Sequence, residues 1–123
     1  MYGLHIIAEW RACVGAGAPM REAGVLRALC LAACEEAGLE KIAEAFHGFG
    51  STEAPAGATG MVVLAESHRA IHTWPEYAAV TLDLYVSHFS RDDRAAAEAA
   101  YRRLLAAFHP RHVMRRDLER GSP

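Results

Sequence analysis

The sequence predicts an α+β fold, a two-layer sandwich with an antiparallel sheet covered on one face by two helices. Three features lead there. Short apolar or alternating segments recur along the chain, two longer segments repeat apolar residues at three- and four-residue steps, and the resulting order, β-α-β-β-β-α-β, runs several strands together. With 123 residues the chain has the size of one domain. No repeat or linker divides it, so 1–123 is expected to be a single domain.

Leu4 to Trp10 is short and apolar and ends before the loop-like cluster Cys13 to Pro19, which predicts a first strand. Val25, Leu26, Leu29, Cys30, Ala33 and Ala37 then form the stripe of an amphipathic helix, with Gly38 as its stop. Lys41 to Phe49 reads as a strand against the poor β-propensity of its alanines and glutamates. Gly50 to Gly60 reads as a small-residue loop, and Met61 to Ala65 as a continuous apolar strand. In Val80 to Ser87 the residues Val80, Leu82, Leu84 and Val86 point one way, with Thr81, Asp83, Tyr85 and Ser87 opposite, which predicts a half-buried strand. Ser90 to Asp93 looks like a capping-box start, and Ala97, Ala100, Tyr101, Leu104 and Phe108 make a second helical stripe before Pro110. His112 to Met114 is expected to be one more short strand, and Leu118 to Pro123 a frayed tail.

At 52% hydrophobic residues, 23% charged residues and a formal charge of -2, the chain lacks the basic footprint of a nucleic-acid binder. It shows neither a signal peptide nor an apolar run of membrane-spanning length, so neither a membrane nor a nucleic acid is expected as partner and the cytoplasm is the expected location. Its three cysteines are an odd set. Cys30 and Cys34 stand at helical spacing and read as buried reduced thiols, because no second pair exists to complete a zinc site.

The stretch Ala65-Glu66-Ser67-His68-Arg69-Ala70-Ile71-His72-Thr73-Trp74-Pro75-Glu76-Tyr77 is the feature with chemistry in it. From composition alone, Glu66 to Tyr77 is a turn-rich connection with two surface histidines. A serine hydrolase would need a nucleophile elbow of the Gly-x-Ser-x-Gly kind, which is missing around Ser67. His68 and His72 supply at most two metal ligands where three or four are needed, so no metal is expected.

Glu66-Ser67-His68-x-x-Ile71-His72-Thr73-Trp74-Pro75-Glu76-Tyr77 resembles the signature of the prokaryotic S-adenosylmethionine decarboxylase proenzymes. His5 to Trp10 is similar to that family's opening strand, Phe46-His47-Gly48-Phe49 to its Phe-His-x-Phe, and Gly60 to Leu64 to the strand before its cleavage point. Leu82 to Tyr85 and Arg111 to Val113 carry the resemblance to the end of the chain. It implies self-cleavage between Glu66 and Ser67 into 1–66 and 67–123. Ser67 Oγ would attack the Glu66 carbonyl, and β-elimination would leave a dehydroalanine that hydrolyses to a pyruvoyl group. That ketone would form a Schiff base with the substrate amine and accept the electrons released with carbon dioxide.

The same resemblance makes His72 the residue that assists processing, with the Thr59 hydroxyl standing where the family usually has a processing serine. It places Glu76 on the substrate ribose hydroxyls and Phe49 on the adenine ring. The plainer readings are a solvated turn residue for Glu76 and a core aromatic for Phe49. The implied product supplies the aminopropyl donor for spermidine synthesis, the implied substrate is a small amino-acid-type molecule, and the implied assembly is a homodimer of processed protomers.

Two departures fall near this site. Ser87 occupies the position of the family's proton-donating cysteine, and a hydroxyl is a much weaker acid than a thiol of pKa ~8.5, so a water or His88 would have to help. Glu76-Tyr77-Ala78-Ala79 replaces the family's Glu-Tyr-Gly-Tyr. Both fit a changed substrate, with arginine or ornithine as the alternative on this scaffold. A further alternative is a non-catalytic paralogue acting as partner subunit.

Overall fold

The structure is a computed structural model and describes residues 2–15, 17–87 and 93–121. One sheet of six strands organises it: β1 (Tyr2–Cys13), β2 (Lys41–Gly50), β3 (Pro55–Leu64), β4 (Ser67–Trp74), β5 (Ala79–Ser87) and β6 (Pro110–Gly121). They lie in the order β2-β3-β4-β5-β1-β6, and every neighbouring pair is antiparallel. Helices α1 (Gly17–Arg21), α2 (Ala23–Glu36) and α3 (Arg94–Phe108) complete the α+β architecture.

The core lies between sheet and helices. Ile6, Ala8 and Trp10 of β1 and Val80, Leu82, Leu84 and Val86 of β5 alternate inward against Leu26, Cys30 and Ala33 of α2 and Ala97, Ala100, Leu104 and Phe108 of α3. Trp10 is fully buried, stacks near Phe108 at 5.8 Å between ring centroids, and donates its indole N–H to the Tyr101 hydroxyl at 3.2 Å. The indole nitrogen is thereby satisfied inside the apolar layer.

Four expectations are corrected. The described residues form three helices rather than two, because Cys13 to Pro19, read as a loop, leads into α1, which buries Met20. The Gly50 to Gly60 loop is strand from Pro55 onward. Its small residues serve close packing: a Cβ on Gly60 would collide with the Phe46 ring, and one on Gly57 would lie 2.8 Å from Pro75. Glu66 to Tyr77 is mostly the strand β4, whose inward positions Ser67, Arg69, Ile71 and Thr73 hide the usual apolar alternation. The tail from Leu118 continues β6 as far as Gly121, paired with β1. Of the capping-box residues, Ser90 to Asp92 lie outside the described residues, as does His88.

Strand β6 forms an edge, and Arg115 ties it to α3. Its guanidinium donates to both carboxylate oxygens of Glu98, at 3.0 and 2.5 Å, and lies 4.5 Å from the Tyr101 ring centre. These bonds hold the Glu98 carboxyl below the usual carboxylate range. A depressed carboxylate contributes stability above its unfolded value and loses it as pH falls through the folded one. Replacing Arg115 by Met should therefore destabilise the chain by roughly 1 kcal/mol at neutral pH, a small figure because both groups are partly solvated. The gap between wild type and variant in urea titrations should close on acidification.

Candidate active site

Ser67 opens β4 directly after the turn that follows β3, and it is 8% exposed. Its Oγ accepts a hydrogen bond from the Ser87 backbone N–H at 3.4 Å, since the antiparallel register sets Ser67 opposite Val86 at the end of β5. Ser87 is itself 5% exposed. Glu66 is half-buried and, with Ser67, Leu39 and Asp93, borders a cleft of about 220 Å³ between the sheet's rim and the helix layer. The Glu66–Ser67 peptide is thus held in a turn with the serine oxygen fixed beside it.

Thr59 and His72 form a second group. They face each other across β3 and β4, and Thr59 Oγ1 and His72 Nδ1 share a hydrogen bond. Side chains alternate along a strand, so His72 projects from the face opposite Ser67 and about 16 Å further along β4. Within one protomer the two groups do not meet.

Glu76 is exposed in the 3₁₀ turn Pro75–Tyr77 that joins β4 to β5. That turn rests on unusual backbone. Ala78 adopts the left-handed conformation, φ 49°, at the place where the sequence pattern replaces a glycine, and Gly57 beneath the turn has φ 110°. Phe49 is 51% exposed near the end of β2, 4.9 Å from the His47 ring, so it is not a core aromatic. It borders a groove with Arg21, Glu22 and Thr52, away from Ser67.

Two features escaped sequence reasoning. On the open face, His5 donates to Asp83 Oδ1 at 2.6 Å, and His68 Nε2 approaches the same oxygen at 3.7 Å. The alternation of β5 already put Asp83 and Tyr85 on that face; the pairing with β1 had no local signal. The other feature is Arg69, 1% exposed in the core beside Cys34. Burial pushes the Cys30 thiol up to about 12 and the Cys34 thiol in the same direction. Among the described residues no group of three metal-ligating side chains converges, and no helix is long and apolar enough to cross a membrane.

The S-adenosylmethionine decarboxylase family model matches residues 4–121. The proenzyme of that name from Archaeoglobus fulgidus is 35% identical over 119 residues, covering 97% of each chain. The one from Picrophilus torridus is 41% identical over 90 residues, covering 73% of this chain and 63% of that relative, so this match spans less than two thirds of its length. The crystal structure of the adenosylmethionine decarboxylase from Aquifex aeolicus superposes with a TM-score of 0.79 at 32% identity, covering 98% of this chain and 92% of the other. Fold and site therefore define a carboxy-lyase scaffold. The chain belongs to the S-adenosylmethionine decarboxylase family.

The strained turn under Glu76 gives a paired prediction. Gly57→Ala forces an unfavourable φ and a contact with Pro75, and should destabilise by about 1–3 kcal/mol. Ala78→Gly relieves a left-handed alanine, and should stabilise by no more than ~1 kcal/mol once the greater freedom of glycine in the unfolded chain is subtracted. Urea titrations of the two variants should move in opposite directions.

Proposed function

We propose that this chain is a proenzyme that cuts itself between Glu66 and Ser67, yielding 1–66 and 67–123, and then decarboxylates S-adenosylmethionine to give the aminopropyl donor for spermidine synthesis. The observation that carries this reading is the Glu66–Ser67 peptide set in the turn before β4, with Ser67 Oγ held by the Ser87 N–H beside the cleft. Attack by Ser67 Oγ on the Glu66 carbonyl breaks the peptide bond and forms an ester. Loss of the Ser67 Cα proton then expels the Glu66 carboxylate with the Cβ–O electrons, and addition of water with release of ammonia leaves the pyruvoyl group on residue 67. That group supplies an electron sink for the bond broken as carbon dioxide leaves.

The remaining roles rest on the family pattern together with placement. Thr59 and His72 act as one hydrogen-bonded unit in processing; Ser87, adjoining Ser67, stands where protonation of the product carbon is delivered. Glu76 and Phe49, both exposed, are available to the ribose and the adenine ring. No resident metal is invoked.

The separation of Ser67 from His72 favours a homodimer in which each site combines Ser67 and Ser87 of one protomer with Thr59 and His72 of its partner. The open face of the sheet, which carries His72, offers the apolar surface for pairing, while Ser67 would be reached at the sheet's rim beside its cleft: Ile7, Met61, Val63, Trp74, Met114 and Leu118 are exposed on that face by 37 to 49%. An apolar surface of this kind is what an interface core requires.

Denaturing mass spectrometry of the purified protein should show two chains with residue 67 pyruvoyl-capped, while Ser67→Ala stays whole. A wild type that remains intact on prolonged incubation would remove the self-cleavage reading. Co-expression tests the shared site. A His72→Ala chain should be cleaved when paired with Ser67→Ala, because that heterodimer rebuilds one complete site, and should remain intact alone; equal cleavage in both cases would place His72 outside the partner's site.

The substrate is tested by offering S-adenosylmethionine, arginine and ornithine separately and identifying the amine released. Product from the first alone supports the reading; product only from arginine or ornithine would transfer the mechanism to another substrate. Ser87→Cys should raise turnover several-fold if proton delivery by the hydroxyl is limiting. An unchanged rate would assign that proton to another group.

A further inference from the structure

Arg69 is a charged side chain without a counter-charge in the interior. It is 1% exposed on the helix-facing side of β4, between Val62 of β3 and Leu84 of β5, both also buried. Its Nη2 donates to Cys34 Sγ, while Nε and Nη1 have no hydrogen-bond partner among the described residues. Cys34 cannot supply the missing charge, since burial raises its thiol despite the neighbouring guanidinium. A buried guanidinium with two unmet donors is costly unless an anion reaches it in some state of the protein.

Geometry says which anion is near. Ser67 and Arg69 are two positions apart on one face of β4, about 6–7 Å along the strand. Leu39, whose N–H bonds the Cys34 carbonyl at 2.9 Å, lines the same cleft as Glu66 and Ser67. The Arg69–Cys34 contact thus lies behind the wall of the cleft where cleavage would release a carboxylate. Before cleavage the Glu66 α-carbonyl is a neutral amide and has no charge to offer. In the elimination step it leaves as an anion, and in the cleaved protein it is a free chain terminus.

We propose that Arg69 receives the α-carboxylate of Glu66, stabilising it as the leaving group of the elimination and holding it afterwards. This rests on the self-cleavage reading. Before cleavage the unmet guanidinium raises the energy of the intact chain; expulsion of the carboxylate relieves it, so the same pairing speeds the second step and disfavours its reversal.

The test follows freshly translated chains over time by mass spectrometry, with hydroxylamine to trap ester as Glu66 hydroxamate and a serine-capped 67–123. Wild type should pass to the pyruvoyl form with little trapped ester. Arg69→Met should accumulate the hydroxylamine-sensitive ester and form the pyruvoyl chain about tenfold more slowly or worse, with Arg69→Lys recovering part of the rate. Melting provides the control on folding. In the uncleavable Ser67→Ala chain, Arg69→Met should melt at the same or a higher temperature, because a buried unpaired charge is removed; in cleaved protein it should melt lower. Pyruvoyl formation by Arg69→Met at the wild-type rate would overturn the proposal. So would a lower melting temperature in the Ser67→Ala background, which would make Arg69 a structural residue. A wild type that never cleaves would instead remove the self-cleavage reading on which this rests.

Discussion

Strand β4 is hydrogen-bonded on both sides, to β3 and to β5, and the two-residue period of its side chains governs everything placed on it. One face, with Ser67, Arg69, Ile71 and Thr73, is pressed into the helix layer; the other, with His68, Ala70, His72 and Trp74, looks outward. A slip of one residue would exchange the faces, carrying His72 and Trp74 into the core and Ser67 out of it. The core contacts of Ile71 therefore set the position of the Glu66–Ser67 bond. The Thr73 Oγ1, accepting from the Ala58 N–H at 2.8 Å, fastens the same register against β3.

This two-sided demand explains what could and could not be read along the chain. The stripes of α2 and α3 and the alternation of β5 were legible because their inward positions are apolar throughout. In β4 three of four inward positions are Ser67, Arg69 and Thr73, so the segment looked like a polar connection although it is a central strand. Buried polar groups had replaced the signal that marks a strand. Gly57, Ala58 and Gly60 likewise looked like a loop. The two glycines are needed because Pro75 packs onto Gly57 and Phe46 onto Gly60, a tertiary requirement that no local window contains.

The site divides along the same line. The residues around the Glu66–Ser67 bond were legible as a motif, and so was the His72 position. Their separation was not, since it follows from strand parity once β4 is known to be a strand. Arg69 sat within the motif unremarked: only its depth beside Cys34 distinguishes it from a solvated arginine. The His5–Asp83–His68 cluster required the β1–β5 register, which pairs His5 with Tyr85 and Ile7 with Asp83 across most of the chain's length.

Ser87 and Ala78 are best understood against what the backbone does at each position. Ser87 contributes its main-chain N–H to Ser67, a bond any residue but proline can supply, so replacing the family's cysteine leaves the geometry of the Glu66–Ser67 bond untouched. What changes is only the acidity of the side chain. Ala78 is the opposite case: its backbone must be left-handed to close the turn carrying Glu76, and an alanine accepts that at some cost in energy. The first substitution bears on the proton-donor role proposed for residue 87, the second on how firmly the turn is held. Neither touches the elements that fix the Glu66–Ser67 bond, so under the proposed mechanism both substitutions leave the placement of that bond unchanged.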